Sequence, residues 1–359
     1  MFQFFKKPFY KIASYLLNSD FIREELWHSL RDKFIYNNSI DFQIKYFANP
    51  YKLNIQLSSI PRKLNNSISI DKNTPIFITS RFRSGSTFLW LLFRKLDNIT
   101  AYYEPLNENR WFLDKVQVEV DPTHIGVNNY SDEFKGLNYL NRFFSDLWTY
   151  SHLYMTEKSY DYNLFCYIKE LIDKAPNRSV LQFNRVDFRL GWIKAYFPDV
   201  VLLHIYRNPR EQWMSVQIDG GPIDPNYKIS RYNVLYGTPP LFYTIWWAKD
   251  LRYIFEFLEP EGKHPYEVYY YLWRLSYIWA KNYVHYSFAY EELVTNFKGV
   301  LKELFEFIKI PYTEDIISNL EKLNKGKITQ RWKNYASVEW FEEIENKCDF
   351  VLSKMFTDK

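Results

Sequence analysis

The chain has 359 residues, 47% of them apolar and 25% charged, a balance that excludes a disordered or fibrous protein and allows one large core. A formal charge of +4, with no long block of like charges, argues against a nucleic-acid partner. Two cysteines, Cys166 and Cys348, are too few for a disulfide framework, so the fold must stand on its core in a reducing, cytoplasmic setting.

Residues 1 to about 50 read as helical and aromatic. Lys6, Lys7 and Lys11 sit among aromatic residues, but no run is long and apolar enough for a signal segment or a membrane span. Only a peripheral contact with anionic lipid is left open there. Residues 51–74 read as a polar connection, which divides the chain into an N-terminal helical extension and connection, 1–74, and a catalytic domain, 75–359.

From residue 75 onward, short apolar runs alternate with longer stretches of helical spacing. The spacing predicts strands at 76–79, 100–103, 179–183, 200–206 and 285–289. Helices are expected at 86–96, within 138–175, and at 188–196, 209–217, 241–257 and 266–283, and again beyond Tyr290. Such alternation defines an α/β fold with a central parallel sheet flanked by helices. Residues 219–240, rich in glycine and proline, read as a long loop of the kind that forms a lid or a substrate wall.

The first chemical signal follows the first strand, in Arg83-Ser84-Gly85-Ser86-Thr87. A short polar turn between an apolar strand and an apolar helix points backbone N–H groups and the positive helix end at one place, which makes an anion site. Gly85 lets the backbone approach the ligand, Ser84, Ser86 and Thr87 add hydroxyl donors, and Arg83 supplies a permanent charge. The Walker A pattern of kinases and ATPases is not met, because its first glycine and its lysine are both missing.

A second signal lies at the end of the run 200–206, where Arg207-Asn208-Pro209-Arg210 follows a continuous apolar strand. Pro209 suits the first turn of a helix, so Arg207 falls at the strand's carboxyl end and Ser215 in the helix that follows. Together these segments resemble the two nucleotide motifs of the sulfotransferase superfamily, a relative of the P-loop NTPase folds. The resemblance extends from Pro75 almost to the C-terminus. It implies that Arg83, Ser84, Gly85, Ser86 and Thr87 hold the 5′-phosphosulfate of 3′-phosphoadenosine 5′-phosphosulfate (PAPS), and that Arg207 and Ser215 hold its 3′-phosphate.

The segment at 288–294, with Tyr290 and Glu291, is similar to the family's strand-Tyr-Glu element and reads as structural. Lys325-Gly326-Lys327 and Arg331-Trp332-Lys333 resemble the basic loop that closes over the nucleotide, which implies cofactor contacts for Arg331 and Lys333. Cys348 is similarly placed to a core cysteine of the family's last helix.

Sulfuryl transfer needs position and charge stabilisation, and the acceptor hydroxyl must also lose a proton. Tyr102-Tyr103-Glu104-Pro105 resembles the Tyr-Glu-Pro element of carbohydrate and tyrosyl-protein sulfotransferases, which implies Glu104 as general base and Arg83 as stabiliser of charge on the leaving phosphate. Small-phenol sulfotransferases use a histidine, and here His124 and His152 lie where that residue would fall; Glu108 is the other candidate base. The expected activity is metal-independent transfer from PAPS to the hydroxyl of a glycan or glycolipid. A P-loop-like small-molecule kinase and a non-catalytic nucleotide- or glycan-binding relative are the alternatives.

Overall fold

The computed structural model describes residues 63, 68–114, 118–217, 222–236 and 242–356. The apolar runs form strands β1 (Ile76–Thr79), β2 (Ile99–Tyr103), β3 (Arg178–Phe183), β4 (Val201–Tyr206) and β5 (Tyr286–Ala289). They pair in the order β2-β3-β1-β4-β5, and every pairing is parallel. β1 lies at the centre, with Ile76 opposite both Val180 and Val201 and Thr79 opposite both Phe183 and His204. A strand covered on both faces needs no polar alternation, which is why β1 and β3 are buried along their whole length.

Helices cover the sheet. They are, in chain order, α1 (Ser86–Arg94), α2 (Leu147–Tyr150), α3 (Tyr162–Asp173), α4 (Leu190–Tyr196), α5 (Pro209–Val216), α6 (Arg231–Tyr236) and α7 (Phe242–Leu251). Then come α8 (Pro265–Tyr283), α9 (Tyr290–Thr295), α10 (Phe297–Ile308), α11 (Glu314–Glu321) and α12 (Val338–Met355). The α/β arrangement is thus the one implied by the alternation in the sequence. One apolar cluster surrounds the sheet with α1, α3, α4 and α10; a second joins α7, α8 and α12, and holds the buried Cys348. No helix among the described residues is long and apolar enough to cross a membrane.

Two expectations about this architecture change. The stretch 219–240 is not structureless: α6 occupies part of it, and the Ser230 hydroxyl accepts the Asn233 N–H at 3.3 Å in the manner of a cap. The expected helix 241–257 stops at Leu251 and resumes as a single 3-10 turn at Glu256–Leu258. Of the extension 1–74, all but Lys63 and residues 68–74 lie outside the described residues; Ile68 and Ile70 pack against the core around the sheet.

One cap bears directly on the ligand edge of the sheet. The Asn208 side chain accepts the N–H groups of Arg210 at 3.0 Å and Glu211 at 3.3 Å, and Pro209 fills the position where no N–H is needed. Arg207 is therefore the last residue before a fixed corner. Asn208→Ala is expected to lower unfolding stability by about 1 kcal/mol, as loss of an N-cap does, measured by denaturant unfolding. An unchanged midpoint would show that the corner does not depend on this cap.

Candidate active site

Because the strands are parallel, their carboxyl ends share one edge, and each end delivers a residue to one cavity of about 700 Å³. β1 leads into the loop with Arg83 and Gly85, β2 ends at Glu104, β3 at Asn184 and Arg185, β4 at Arg207, and β5 at Tyr290; all of these line the cavity.

The loop after β1 takes left-handed backbone at Arg83 (φ 64°) and Gly85 (φ 89°). α1 begins at Ser86 with no side-chain cap, which leaves its leading N–H groups available to an anion. Gly85 is required twice over. Its φ disfavours a side chain, and a Cβ there would lie 2.1 Å from Cδ2 of Tyr290. Ser86 and Thr87 line the cavity, and the Thr87 hydroxyl is 3.2 Å from that of Tyr103.

Ser84 departs from expectation. Its hydroxyl is fully buried without a protein partner and faces a separate small void beside His204, Ser276 and Tyr277. Ser84 is therefore absent from the lining of the larger cavity that holds Arg83, Gly85, Ser86 and Thr87.

The segments 83–87 and 207–215 meet directly. Arg83 donates from Nε to the Ser215 hydroxyl at 3.1 Å and from Nη1 to Asp121 at 2.9 Å. Arg207 donates from Nη1 to the Arg83 carbonyl at 3.3 Å, lies 3.5 Å from Glu211, and has its guanidinium 5.0 Å from the centre of the Tyr290 ring. Its Nε is buried with no hydrogen-bond partner. Such a donor is costly unless something else accepts from it.

The late loop contributes Lys325, Gly326, Lys327, Thr329 and Arg331 to the cavity wall. Lys333 is not among the lining residues; the 3-10 turn Arg331–Asn334 carries it outward, with Nζ 5.6 Å from the centre of the Trp332 ring. Arg331 and Lys333, paired in the sequence reading, thus part company. A Cβ on Gly326 would lie 2.6 Å from the Tyr290 hydroxyl, so this loop also closes on Tyr290. Glu291 is structural: it accepts the Asn208 N–H at 3.0 Å, and burial raises its pKa.

Glu104 stands on the opposite side, in left-handed backbone (φ 36°) and largely buried. Oε1 accepts from Asn184 at 2.5 Å; Oε2 accepts from Asn107 at 2.7 Å and from Arg185 Nη1 at 3.1 Å. The carbonyl of Pro105 accepts the Tyr167 hydroxyl at 2.6 Å, and that of Leu106 accepts the Thr149 hydroxyl at 3.2 Å, so the exit from β2 is fixed on both residues. Arg185 also bonds Glu108 from Nη2 at 2.6 Å, and Tyr243 donates its hydroxyl to Glu108. Burial works against the Arg185 charge, but the two glutamates hold its pKa above the ordinary arginine value.

His124 reaches the cavity, with Nδ1 2.6 Å from the Tyr130 hydroxyl; burial lowers its pKa against the pull of Asp121. Burial tends to raise the pKa of Asp121, yet hydrogen bonds from Thr123 and the charges of His124 and Arg83 bring it to about 2. His152 does not line the cavity; its backbone N–H is tied to Asp250. Among the described residues, no group of acidic, histidine or cysteine side chains is arranged to hold a metal ion.

Asn184, Arg185, Asp121 and Tyr243 were not anticipated, whereas Glu108 was among the candidate bases of the sequence reading and does line the cavity. For Arg185 a signal existed: a polar pair directly after a continuous apolar run, the feature that singled out Arg207.

No family model matches the chain, and no curated protein matches it. Among solved structures, the mouse sulfotransferase SULT7A1 complexed with PAP aligns at 13% identity and a TM-score of 0.40, over 80% of this chain and 88% of that one. Sulfotransferase STF9 from Mycobacterium avium aligns at 15% identity and a TM-score of 0.40, over 80% of this chain and 79% of the other.

The contact between Gly85 and Tyr290 is open to test. Gly85→Ala should destabilise the fold by about 1–3 kcal/mol, the range for a side chain in strained backbone, and should abolish anion protection in a thermal-shift assay with pyrophosphate. Retained stability together with retained protection would mean that the loop and the ring can separate without consequence.

Proposed function

We propose that the chain is a metal-independent sulfotransferase that binds PAPS across the ends of β1 and β4 and transfers its sulfuryl group to a hydroxyl facing Glu104. The observation that carries this reading is the Arg83–Ser215 bond at 3.1 Å, which joins two anion-binding elements in one cavity. A nucleotide phosphorylated at both the 5′ and 3′ positions needs two such subsites, and Arg207 supports the second with a buried Nε that the protein leaves without a partner. A kinase reading has neither the Walker lysine nor a use for this second subsite.

In this reading Gly85, Ser86, Thr87 and Arg83 hold the phosphosulfate, Arg207 and Ser215 hold the 3′-phosphate, and Arg331 closes from the late loop. The acceptor O–H bond breaks as its proton passes to Glu104. The acceptor oxygen forms the new bond to sulfur, and the bond from sulfur to the bridging oxygen of the phosphate breaks, with its electron pair leaving on the nucleotide. Arg83 stabilises that developing charge. The acceptor class is a glycan or glycolipid hydroxyl, supported by the Tyr-Glu-Pro resemblance and by a cavity wall that mixes Tyr103, Trp111 and Tyr130 with the amides of Asn107 and Asn109. The reading also takes 75–359 as the sulfotransferase domain, 1–74 as its extension, and the cytoplasm as its setting, the last supported by two unpaired cysteines.

Calorimetry tests the nucleotide half. Adenosine 3′,5′-bisphosphate should bind more tightly than 5′-AMP by roughly 1.5–3 kcal/mol, the scale of hydrogen bonds to charged groups, and Arg207→Ala should erase most of that difference while leaving 5′-AMP affinity nearly unchanged. Equal affinities in the parent protein would remove the 3′-phosphate subsite.

Turnover tests the other half. Glu104→Gln keeps shape and removes basicity, so turnover of PAPS should fall by about 10²–10⁴-fold with bisphosphate affinity preserved. A variant that keeps both would move the base to His124 or Glu108, which share the cavity wall, or to His152.

A further inference from the structure

We infer that Arg185 is a positioning residue for Glu104: it occupies one carboxylate oxygen so that the other, Oε1, is the atom that takes the acceptor's proton. This rests on the sulfuryl-transfer reading and extends it to a residue outside both nucleotide motifs.

A carboxylate offers about two lone-pair positions on each oxygen. On Oε2 both are used, by Asn107 at 2.7 Å and Arg185 at 3.1 Å. Oε1 accepts from Asn184 at 2.5 Å, with the Tyr103 hydroxyl as the other polar group acting on this carboxylate, so it is the less crowded of the two oxygens. Glu104, Asn107, Asn184 and Arg185 all line the cavity in which the acceptor is proposed to sit.

Arg185 is suited to this because it is itself held. Its Nη2 bonds Glu108 at 2.6 Å, Glu108 accepts from Tyr243, and the guanidinium carbon lies 4.9 Å from the centre of the Phe82 ring and 5.8 Å from that of Tyr243. The plane of the guanidinium is fixed by two carboxylates and two rings, with its side chain 1% exposed. Sharing one cation between Glu104 and Glu108 also keeps the cation from neutralising Glu104 alone. A lysine carries a point charge and cannot span both carboxylates with the same geometry.

In the proton transfer, the acceptor O–H bond breaks toward Oε1 while Oε2 stays bonded to Arg185 and Asn107. Without Arg185 the carboxylate keeps the amides of Asn107 and Asn184, which hold it less firmly, so the reacting oxygen can shift by about 1 Å from the acceptor. An error of this size in the reacting geometry costs on the order of 10²-fold in rate.

The experiment follows radiolabelled PAPS with N-acetylglucosamine as probe acceptor, counting both sugar sulfate and free sulfate, beside calorimetric binding of adenosine 3′,5′-bisphosphate. Arg185→Ala should lower kcat by about 10²-fold while bisphosphate affinity stays within about threefold, and guanidinium chloride at tens of millimolar should restore about tenfold of the loss. Arg185→Lys should remain close to the alanine variant. The inference is overturned if the lysine variant has the parent's kcat, if bisphosphate affinity falls in step with kcat, or if guanidinium restores nothing to a folded alanine variant. Should the alanine variant fail to fold, the lysine variant decides alone: low kcat with intact affinity supports the role, parent-like kcat removes it. A parent protein that neither prefers the bisphosphate over 5′-AMP nor consumes PAPS would sink the sulfotransferase reading itself, and this inference with it.

Discussion

The Tyr290 ring sets the spacing of the whole anion-binding edge. Gly85 from the loop after β1 and Gly326 from the late basic loop both come so close to Tyr290 that a Cβ on either would overlap it, at 2.1 Å from ring atom Cδ2 and 2.6 Å from the hydroxyl. The Arg207 guanidinium, from the end of β4, lies 5.0 Å from the ring centre. Three segments far apart in sequence are therefore gauged against one rigid side chain that follows directly from β5. The attraction of a guanidinium for an aromatic face is worth about 0.5–1 kcal/mol at an exposed site and more when desolvated, so the ring also holds Arg207 in place. Burial raises the Tyr290 pKa, which keeps the hydroxyl protonated and adds no negative charge to an anion site.

Along this edge of the sheet, buried and half-buried charges are arranged in opposed groups. Arg81 pairs with Asp187 at 2.9 Å under the loop and lies 4.1 Å from the centre of the Trp247 ring; Arg185 is shared by Glu104 and Glu108; Arg83 is held by Asp121 and Ser215. Pairs of this kind contribute little net stability, because desolvation offsets their attraction, but each restricts where its partners can sit. Arg207 differs. Its contacts to Glu211 and to the Arg83 carbonyl are long, at 3.5 Å and 3.3 Å, and its Nε is left unmatched. Buried arginine donors without a partner also occur at Arg178, Arg185 and Arg274, so what sets Arg207 apart is that its remaining contacts are long as well.

The strands were legible because a strand covered on both faces reads as an unbroken apolar run, and each predicted strand matches an observed one to within a residue at either end. The loop at 83–87 and the corner at 207–215 were legible for a local reason: a strand, a polar turn and a helix start are contiguous in sequence. What failed was side-chain direction. Sequence alone cannot say whether Ser84 points into a cavity or behind its loop, or which of Arg331 and Lys333 turns inward. α6 was hidden because a six-residue helix between clusters of proline and glycine leaves too few positions to display a period. Arg185 meets Glu104 across 81 residues of chain, and no spacing rule encodes a contact of that separation.

That difference separates the two halves of the cavity. The side around the loop at 83–87 rests on two local features, an uncapped helix start and a capped corner, each specified within a few residues, and on Tyr290 and the Arg83–Ser215 bond, which join them across the chain. The Glu104 side is made of side chains brought together from β2, β3, α7 and the irregular segment around Asp121 and His124. Changes on that side would alter how an acceptor fits while leaving the turn at Gly85 and the corner at Asn208 intact. The geometry of Glu104 is then the point at which the two halves must agree. Its backbone is set by β2 and by the Tyr167 and Thr149 contacts to the residues that follow, whereas its carboxylate is set by Arg185 and Asn184 at the end of β3. β3 is paired directly with both β2 and β1, so the strands that lead to Glu104, to Arg185 and to the loop at 83–87 are held in one register.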